Sequence, residues 1–289
     1  MKKKIIFTTI LAMLSYVILI GLYVDIDKVR VKHVTYESVQ LPRAFDGYRI
    51  VQMTDAHLGT FTGARKALLK ALVDSVNALH PDMVVFTGDL QNRRPNELYE
   101  HIPTLRGIKA KDGIYAVMGN HDYPMYVRDV TPEQKRAYLN ETMGIIRSLG
   151  WHLLVNDNAV IRRCNDSIVI AGMDNDGNGR KFPQRGDVGK TLRGVGDKAF
   201  IVMLEHDPSA WRRKILPHTN AQLTLSGHTH AMQFEVMGWS PASLLYDEWG
   251  GMYSEGDRSI YVSTGMGALI PFRFGVPGEV VEVRLVVKI

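Results

Sequence analysis

An uncharged apolar run from Ile5 to Val24 opens the chain behind Lys2, Lys3 and Lys4. It is long enough for a helix to cross a hydrocarbon layer of about 30 Å, and it reads as a single membrane span. A cleaved signal peptide shares the basic start, but its apolar region is only about 7–15 residues and ends in small side chains. Here the run ends Ile20-Gly21-Leu22-Tyr23-Val24-Asp25, a poor cleavage site. The three lysines place the amino terminus in the cytoplasm and the remainder outside, across a bacterial-type cytoplasmic membrane. Lys28, Arg30 and Lys32 follow closely and reduce that charge asymmetry. Alternating Val29, Val31 and Val34 then read as a short strand or a stalk. The expected division is 1–24 lysines and anchor, 25–44 stalk or first strand, and 45–289 one globular domain.

From Tyr48 onward, short apolar runs alternate with helical spacing, the order that builds βαβ units and a layered α/β core. Early strands are expected at 49–53, 82–86 and 114–118. Between the first two, Leu68, Leu69, Leu72, Val73 and Val76 mark an amphipathic helix over 64–79, stopped before Pro81. A second helix is expected over 131–149, opening Thr131-Pro132-Glu133-Gln134 and closing at Gly150. Later strands are expected at 152–155, 168–171, 200–204, 222–225, 259–262 and 280–287. The glycine-containing loop 174–196 is a mobile flap or a surface excursion.

The 289 residues carry a net charge of +5, and Lys and Arg are spread along the sequence. No basic run with interleaved aromatics is present, so nucleic acid is not an expected partner. Cys164 is the single cysteine. It excludes an intramolecular disulfide and a cysteine-based zinc site, and it reads as a small buried hydrophobe beside a strand. Any metal must be held by His, Asp, Glu or Asn, the ligands of hydrolytic dinuclear sites.

Such residues follow the expected strands directly: Thr54-Asp55-Ala56-His57, Thr87-Gly88-Asp89, Gly119-Asn120-His121-Asp122, Glu205-His206-Asp207 and Gly227-His228-Thr229-His230. In an open α/β sheet the carboxyl ends of the strands form the ligand crevice, so clusters about 30 residues apart can converge there. Residues two apart, such as Asp55 and His57 or His228 and His230, point the same way wherever the chain stays extended. Taken singly, each residue is more often a turn or a satisfied polar group than a ligand. Five ordered blocks reverse those odds.

These blocks resemble those of the calcineurin-like metallophosphoesterases, which read D-x-H, GD, GNH-D/E, H and GH-x-H in this order. The general pattern is similar to the membrane-associated branch that includes UDP-2,3-diacylglucosamine hydrolase-like proteins. The resemblance implies a layered αββα sandwich holding two divalent metal ions, Mn, Fe or Zn. One would be held by Asp55, His57, Asp89 and His230, and the other by Asp89, Asn120, His206 and His228, with Asp89 bridging. The pair would clamp phosphate oxygens and activate a water for in-line attack on phosphorus. His121 would protonate the leaving oxygen, and Asp122 would orient His121 or its loop. Arg93 and Arg94 are candidates for a substrate phosphate or pyrophosphate, with a solvated turn as the plain alternative. Asn92 receives no role.

The implied substrate is a phosphorylated small molecule or lipid. UDP-2,3-diacylglucosamine is the family-suggested candidate, but it is cytoplasmic, whereas the lysines favour an outside domain. An extracytoplasmic phosphoester is the alternative. Other readings are a nuclease or protein phosphatase, and a metal-free scaffold, whose eroded ligand set is not found here. After the last block, Ala231-Met232-Gln233 stands where many members of the branch carry two glycines before the Gln. The stretch containing Phe234, Trp239, Leu244, Leu245, Tyr246, Trp249, Met252 and Tyr253 is either a hairpin packed on the sandwich or an apolar wall for acyl chains or the bilayer. His33, His80, His101, His152 and His218 read as surface or packing residues.

Overall fold

The structure is a computed structural model that describes residues 2–179 and 182–289. Its strands are β1 (Val29–Ser38), β2 (Arg49–Met53), β3 (Met83–Thr87), β4 (Ile114–Val117), β5 (His152–Leu153), β6 (Asp157–Arg163), β7 (Asp166–Gly172), β8 (Phe200–Leu204), β9 (Leu223–Ser226), β10 (Gly251–Glu255), β11 (Arg258–Val262) and β12 (Gly278–Val287). The long helices are α1 (Lys2–Tyr23), α2 (Arg65–Ala78) and α3 (Pro132–Ser148).

One six-stranded sheet has the order β1-β12-β2-β3-β4-β5 and the other β10-β11-β9-β8-β7-β6. Both faces of the central strands are apolar because each faces a different layer. In β3, Val84 and Phe86 pack toward α2 and α3, joining Leu69, Leu72, Val76 and Ile146. Met83 and Val85 point the other way, into the space between the sheets, with Ile50, Ile170, Val202 and Leu225. Beyond the second sheet, Ile201, Met203 and Ile260 pack on Trp211 and Ile215. The result is an αββα sandwich, as the motif resemblance implies.

Helix α3 starts where its sequence says it should. The Thr131 hydroxyl accepts from Gln134 N at 3.2 Å, and the Gln134 side chain accepts from Thr131 N at 2.8 Å. This reciprocal cap satisfies two N–H groups that the first turn leaves unpaired.

Segment 25–44 is part of the sheet rather than a free stalk, because β1 pairs in parallel with β12 from Val29↔Gly278 to Ser38↔Val287. Strand β6 gave no sequence signal: it is an edge strand whose residues, Ile161 apart, are exposed or half-buried. Loop 174–196 contains an Asp176↔Gln184 bridge and a helical turn Val188–Thr191. Arg180 and Lys181 of that loop lie outside the described residues. The expectation for Cys164 is corrected, since its thiol is exposed. It opens a two-residue hairpin turn between β6 and β7 at φ +53°, a geometry that projects the side chain into solvent.

Asp82 ties three segments together. Its carboxylate accepts from Arg49 N at 2.9 Å, Lys111 Nζ at 3.0 Å and Arg163 Nη2 at 3.1 Å. Burial pushes its pKa up, but these donors outweigh that and hold it below the ordinary carboxylate value. The folded pKa is therefore below the unfolded value of about 3.9, so the stabilisation is present above about pH 4 and is lost as pH falls through the folded pKa. Asp82→Asn is expected to lower stability by about 1–3 kcal/mol at neutral pH. Denaturant titrations at pH 7 and pH 3 should show that difference shrinking in acid, and a pH-independent difference would contradict the assignment.

Candidate metal centre

The five blocks sit where β2, β3, β4, β8 and β9 end, and their side chains meet in one crevice. Asp55, His57, Asp89, Asn120, His206 and His230 are all buried. The chain does not stay extended there. Asp55, His57, Asp89, His228 and His230 have φ of +52°, +45°, +61°, +74° and +50°. The left-handed region costs a non-glycine residue roughly 1 kcal/mol or more, and such strain concentrates at functional sites. Residues two apart are therefore not bound to aim together. Asp55 and His57 do share a cluster with His230, but His228 turns away to join Asp89 and His206.

Around the first position, His230 Nε2 lies 3.2 Å from Asp55 Oδ1 and 3.0 Å from His57 Nε2. Around the second, Asn120 Oδ1 lies 3.1 Å from His206 Nε2 and 2.8 Å from His228 Nδ1. Asp89 Oδ2 stands between the two, 3.6 Å from His57 Nε2 and 3.2 Å from His206 Nε2. So many lone pairs facing one another in a buried space suit divalent cations, and the set of imidazoles, carboxylates and one amide oxygen fits Mn, Fe or Zn. The turns are shaped to this purpose. A Cβ at Gly119 would collide with the Asp89 carboxylate, and one at Gly227 with that of Asp55.

The electrostatics agree. Burial opposes ionisation of Asp55 and Asp89, yet the neighbouring His230 and His206 hold both carboxyls below their usual range. Burial also disfavours the charged form of His206, but the fields of Asp89 and Asp55 push its pKa up to about 10. A field that strong toward a proton acts equally on a cation. Burial holds His57 and His228 low, in the neutral form that ligates metal.

His121 borders both His57 and the open cleft. Its Nδ1 lies 2.6 Å from the carbonyl oxygen of Asn92. Its ring meets His57 edge-on at 4.7 Å and stacks on Tyr126 at 4.2 Å. Asp122 acts on the loop. Its partners among the described residues are four backbone N–H groups: Asp89 and Gly119 on Oδ2, Leu90 and Gln91 on Oδ1. Burial and then Asp89 push Asp122 up to about 6 against the pull of those donors. Arg93 and Arg94 line a cleft of about 890 Å³ together with His121, Tyr126, Arg128 and Leu269.

Three contributors escaped sequence reasoning. Tyr126 accepts from Asn120 Nδ2 at 2.7 Å and so fixes which end of the amide faces the crevice. Tyr246 places its hydroxyl 2.9 Å from His228 Nε2. Arg273, fully buried, donates to the carbonyls of Thr264, Gly265, Gly267 and Val276 and lies 3.3 Å from His230 Nδ1. Tyr126 alone had a signal, its place four residues after Asp122. Met252 and Tyr253 fall in the β10–β11 hairpin, as the plain reading of that stretch held.

Known proteins with the same sequence features sharpen the picture. A transmembrane protein with metallophosphoesterase domain from Danio rerio is 32% identical over 253 residues, covering 85% of this chain and 55% of that protein. This chain thus spans about half the length of that relative. A metallophosphoesterase of Bacillus subtilis, YkuE, is 31% identical over 251 residues, 83% of this chain and 79% of the relative. UDP-2,3-diacylglucosamine pyrophosphatase LpxG of Chlamydia trachomatis is 26% identical over 302 residues, 87% and 88%. The family model for calcineurin-like phosphoesterase matches residues 48–232, a stretch that runs through all five ligand blocks. The chain therefore belongs to the calcineurin-like phosphoesterase family of metal-dependent phosphoester hydrolases.

Proposed function

We propose that this protein is a membrane-anchored two-metal hydrolase that cleaves a phosphoester or pyrophosphate bond, with a lipid-linked phosphate as its substrate class. The observation that carries the reading is Asp89 Oδ2, poised between the two donor clusters in the position of a bridge. Two divalent cations bound there would offset phosphate charge and supply a water acidic enough to attack phosphorus. Asp55, His57 and His230 hold one position, Asn120, His206 and His228 the other, and Asp89 both.

His121 acts on the leaving oxygen. With Nδ1–H donated to the Asn92 carbonyl, Nε2 is the atom free to carry the transferable proton. Asp122 fixes the backbone of the Asp89 and Gly119 turns. Arg93 and Arg94, joined by Arg128, suit the second phosphate of a pyrophosphate or the charged end of a larger head group. The apolar helix α1 and the similarity to the chlamydial UDP-2,3-diacylglucosamine pyrophosphatase favour a lipid-linked substrate such as UDP-2,3-diacylglucosamine. The amino-terminal lysines favour an outside catalytic domain and hence an extracytoplasmic phosphoester as the second reading.

Detergent-solubilised full chain is expected to hydrolyse bis-p-nitrophenyl phosphate when supplied with Mn²⁺. His121→Ala should slow esters with poor leaving groups by about 10²–10⁴-fold and p-nitrophenyl esters far less, because a good leaving group needs little protonation. Metal content should be unchanged. Wild-type protein that stays inert with Mn, Fe and Zn on both ester types would rule the reading out. A reporter fused at the carboxyl terminus tests the orientation.

A further inference from the structure

We propose that the hairpin Phe234–Trp239 and the adjoining residues Leu269 and Ile270 form a second membrane contact, inserted beside α1 so that the metal cleft opens at head-group depth. The proposal rests on α1 lying in the bilayer. The link between helix and hairpin is continuous. Arg273 N donates to Gly21 O at 3.0 Å, Gly275 N donates to Asp25 Oδ2 at 2.9 Å, and Gly21 is packed on Phe272 with no room for a Cβ. One turn of this chain of contacts lies deeper. Tyr16 meets Phe274 edge-on at 6.4 Å, and Phe274 stacks on Phe234 at 5.5 Å. Tyr16 lies seven residues before the helix end at Tyr23, about 10 Å along the axis at 1.5 Å per residue. A hairpin in register with Tyr16 is therefore alongside hydrocarbon wherever α1 is.

The hairpin is built for that setting. Val236 and Trp239 exchange backbone hydrogen bonds at 2.9 and 3.0 Å around the two-residue turn Met237-Gly238, whose φ values are +53° and +79°. A tight turn of this type normally carries Asn or Asp at its first position, where water solvates the side chain. Here that position is methionine, fully exposed, flanked by Trp239 at 50% and Val236 at 41% exposure. Glu235, at the base, is the single charge between residues 232 and 239. Leu269 and Ile270 are exposed by 42% and 57%, and Leu269 also lines the cleft beside Arg93 and Arg94. Water is a poor solvent for this cluster, and a bilayer interface, which favours tryptophan and aliphatic side chains, is a good one. Gln233 joins the two loops, its side chain accepting from Leu269 N at 2.8 Å and donating to Ile270 O at 3.0 Å, and it follows His230 by three residues. The ligand turn and the inserted surface are thus one backbone unit.

The test places a polarity-sensitive fluorophore at three sites of the full chain reconstituted in phosphatidylcholine–phosphatidylglycerol vesicles. Native Cys164, at the amino end of β7 and so at the opposite end of the strands from the metals, serves as the aqueous reference. In a Cys164→Ser background, Met237→Cys reports the hairpin and Met13→Cys the span. The expected result is quenching at 237 by lipids nitroxide-labelled near the head group and shielding from iodide, with the reverse at 164. Quenching at 13 but water-like behaviour at 237 overturns the proposal while leaving the span intact, and no quenching at 13 overturns both. A functional arm is independent. Met237→Asp combined with Trp239→Asp should slow an acyl-chain p-nitrophenyl phosphodiester in vesicles roughly tenfold or more, the loss expected for two interfacial apolar side chains. Hydrolysis of soluble bis-p-nitrophenyl phosphate should be unchanged. Equal rates with wild type on the vesicle substrate would contradict the proposal, and inactivity of wild type on both substrates would instead count against the phosphoesterase reading.

Discussion

Asp89→Asn is expected to abolish at least about 99.9% of the phosphodiesterase rate, the effect of losing several kcal/mol of transition-state stabilisation at a bridging ligand. The substitution is nearly isosteric. The retained oxygen can still accept from His121 N, which Asp89 Oδ1 does at 2.7 Å. The lost oxygen is the one between His57 and His206, and an amide NH₂ there points donors at nitrogens that must ligate. Metal analysis should therefore show fewer than two ions per chain with thermal unfolding of the metal-free protein little altered. Two retained ions and a rate within tenfold of wild type would remove Asp89 from the bridging role.

Asp122→Ala should behave in the opposite sense, failing through the fold before the chemistry. The fully buried carboxylate serves four backbone N–H groups at 2.8 to 3.3 Å, and alanine leaves all four without an acceptor. At about 1–3 kcal/mol for each unsatisfied buried donor, a loss of at least about 4 kcal/mol is expected. For a chain of this size that lowers the melting temperature by about 10 °C, measurable by calorimetry without metal. Asp122→Asn, with one oxygen left, should fall between. His121→Ala, which removes a side chain facing the cleft, should leave the melting temperature nearly unchanged. If Asp122→Ala unfolds at the wild-type temperature and loses only activity, Asp122 is part of the chemistry after all.

What could be read from the sequence follows from how each feature is encoded. β2, β3, β4, β8 and the helices α2 and α3 are marked by side chains within the element itself, so apolar periodicity located them. The seven ligand candidates were legible because each sits just beyond such a run. The left-handed turns that aim them were not, since Asp55, His57, Asp89, His228 and His230 are themselves not glycine and so do not announce a positive φ. Edge strand β6 lacks a continuous apolar face. Tyr246 and Arg273 enter the site through tertiary contacts across 18 and 43 residues, and nothing local marks them as partners of the histidines, whereas Tyr126 lies only six residues from Asn120. Cys164 was misplaced because burial was inferred from residue type, whereas a two-residue turn dictated exposure.

The pairing of β1 with β12 joins strands 249 residues apart, as the Arg30–Glu279 contact between them shows. The first sheet consequently cannot close before β12, residues 278–287, has been made. At about 5–20 residues per second, β1 waits roughly 12–50 s for its partner to leave the ribosome. During that interval α1 is already available for membrane insertion, and β2 lacks its antiparallel neighbour. The order of synthesis thus makes α1 available before the first sheet is complete. Contacts of such long sequence separation also slow folding, which leaves an open sheet edge to be guarded until β12 arrives.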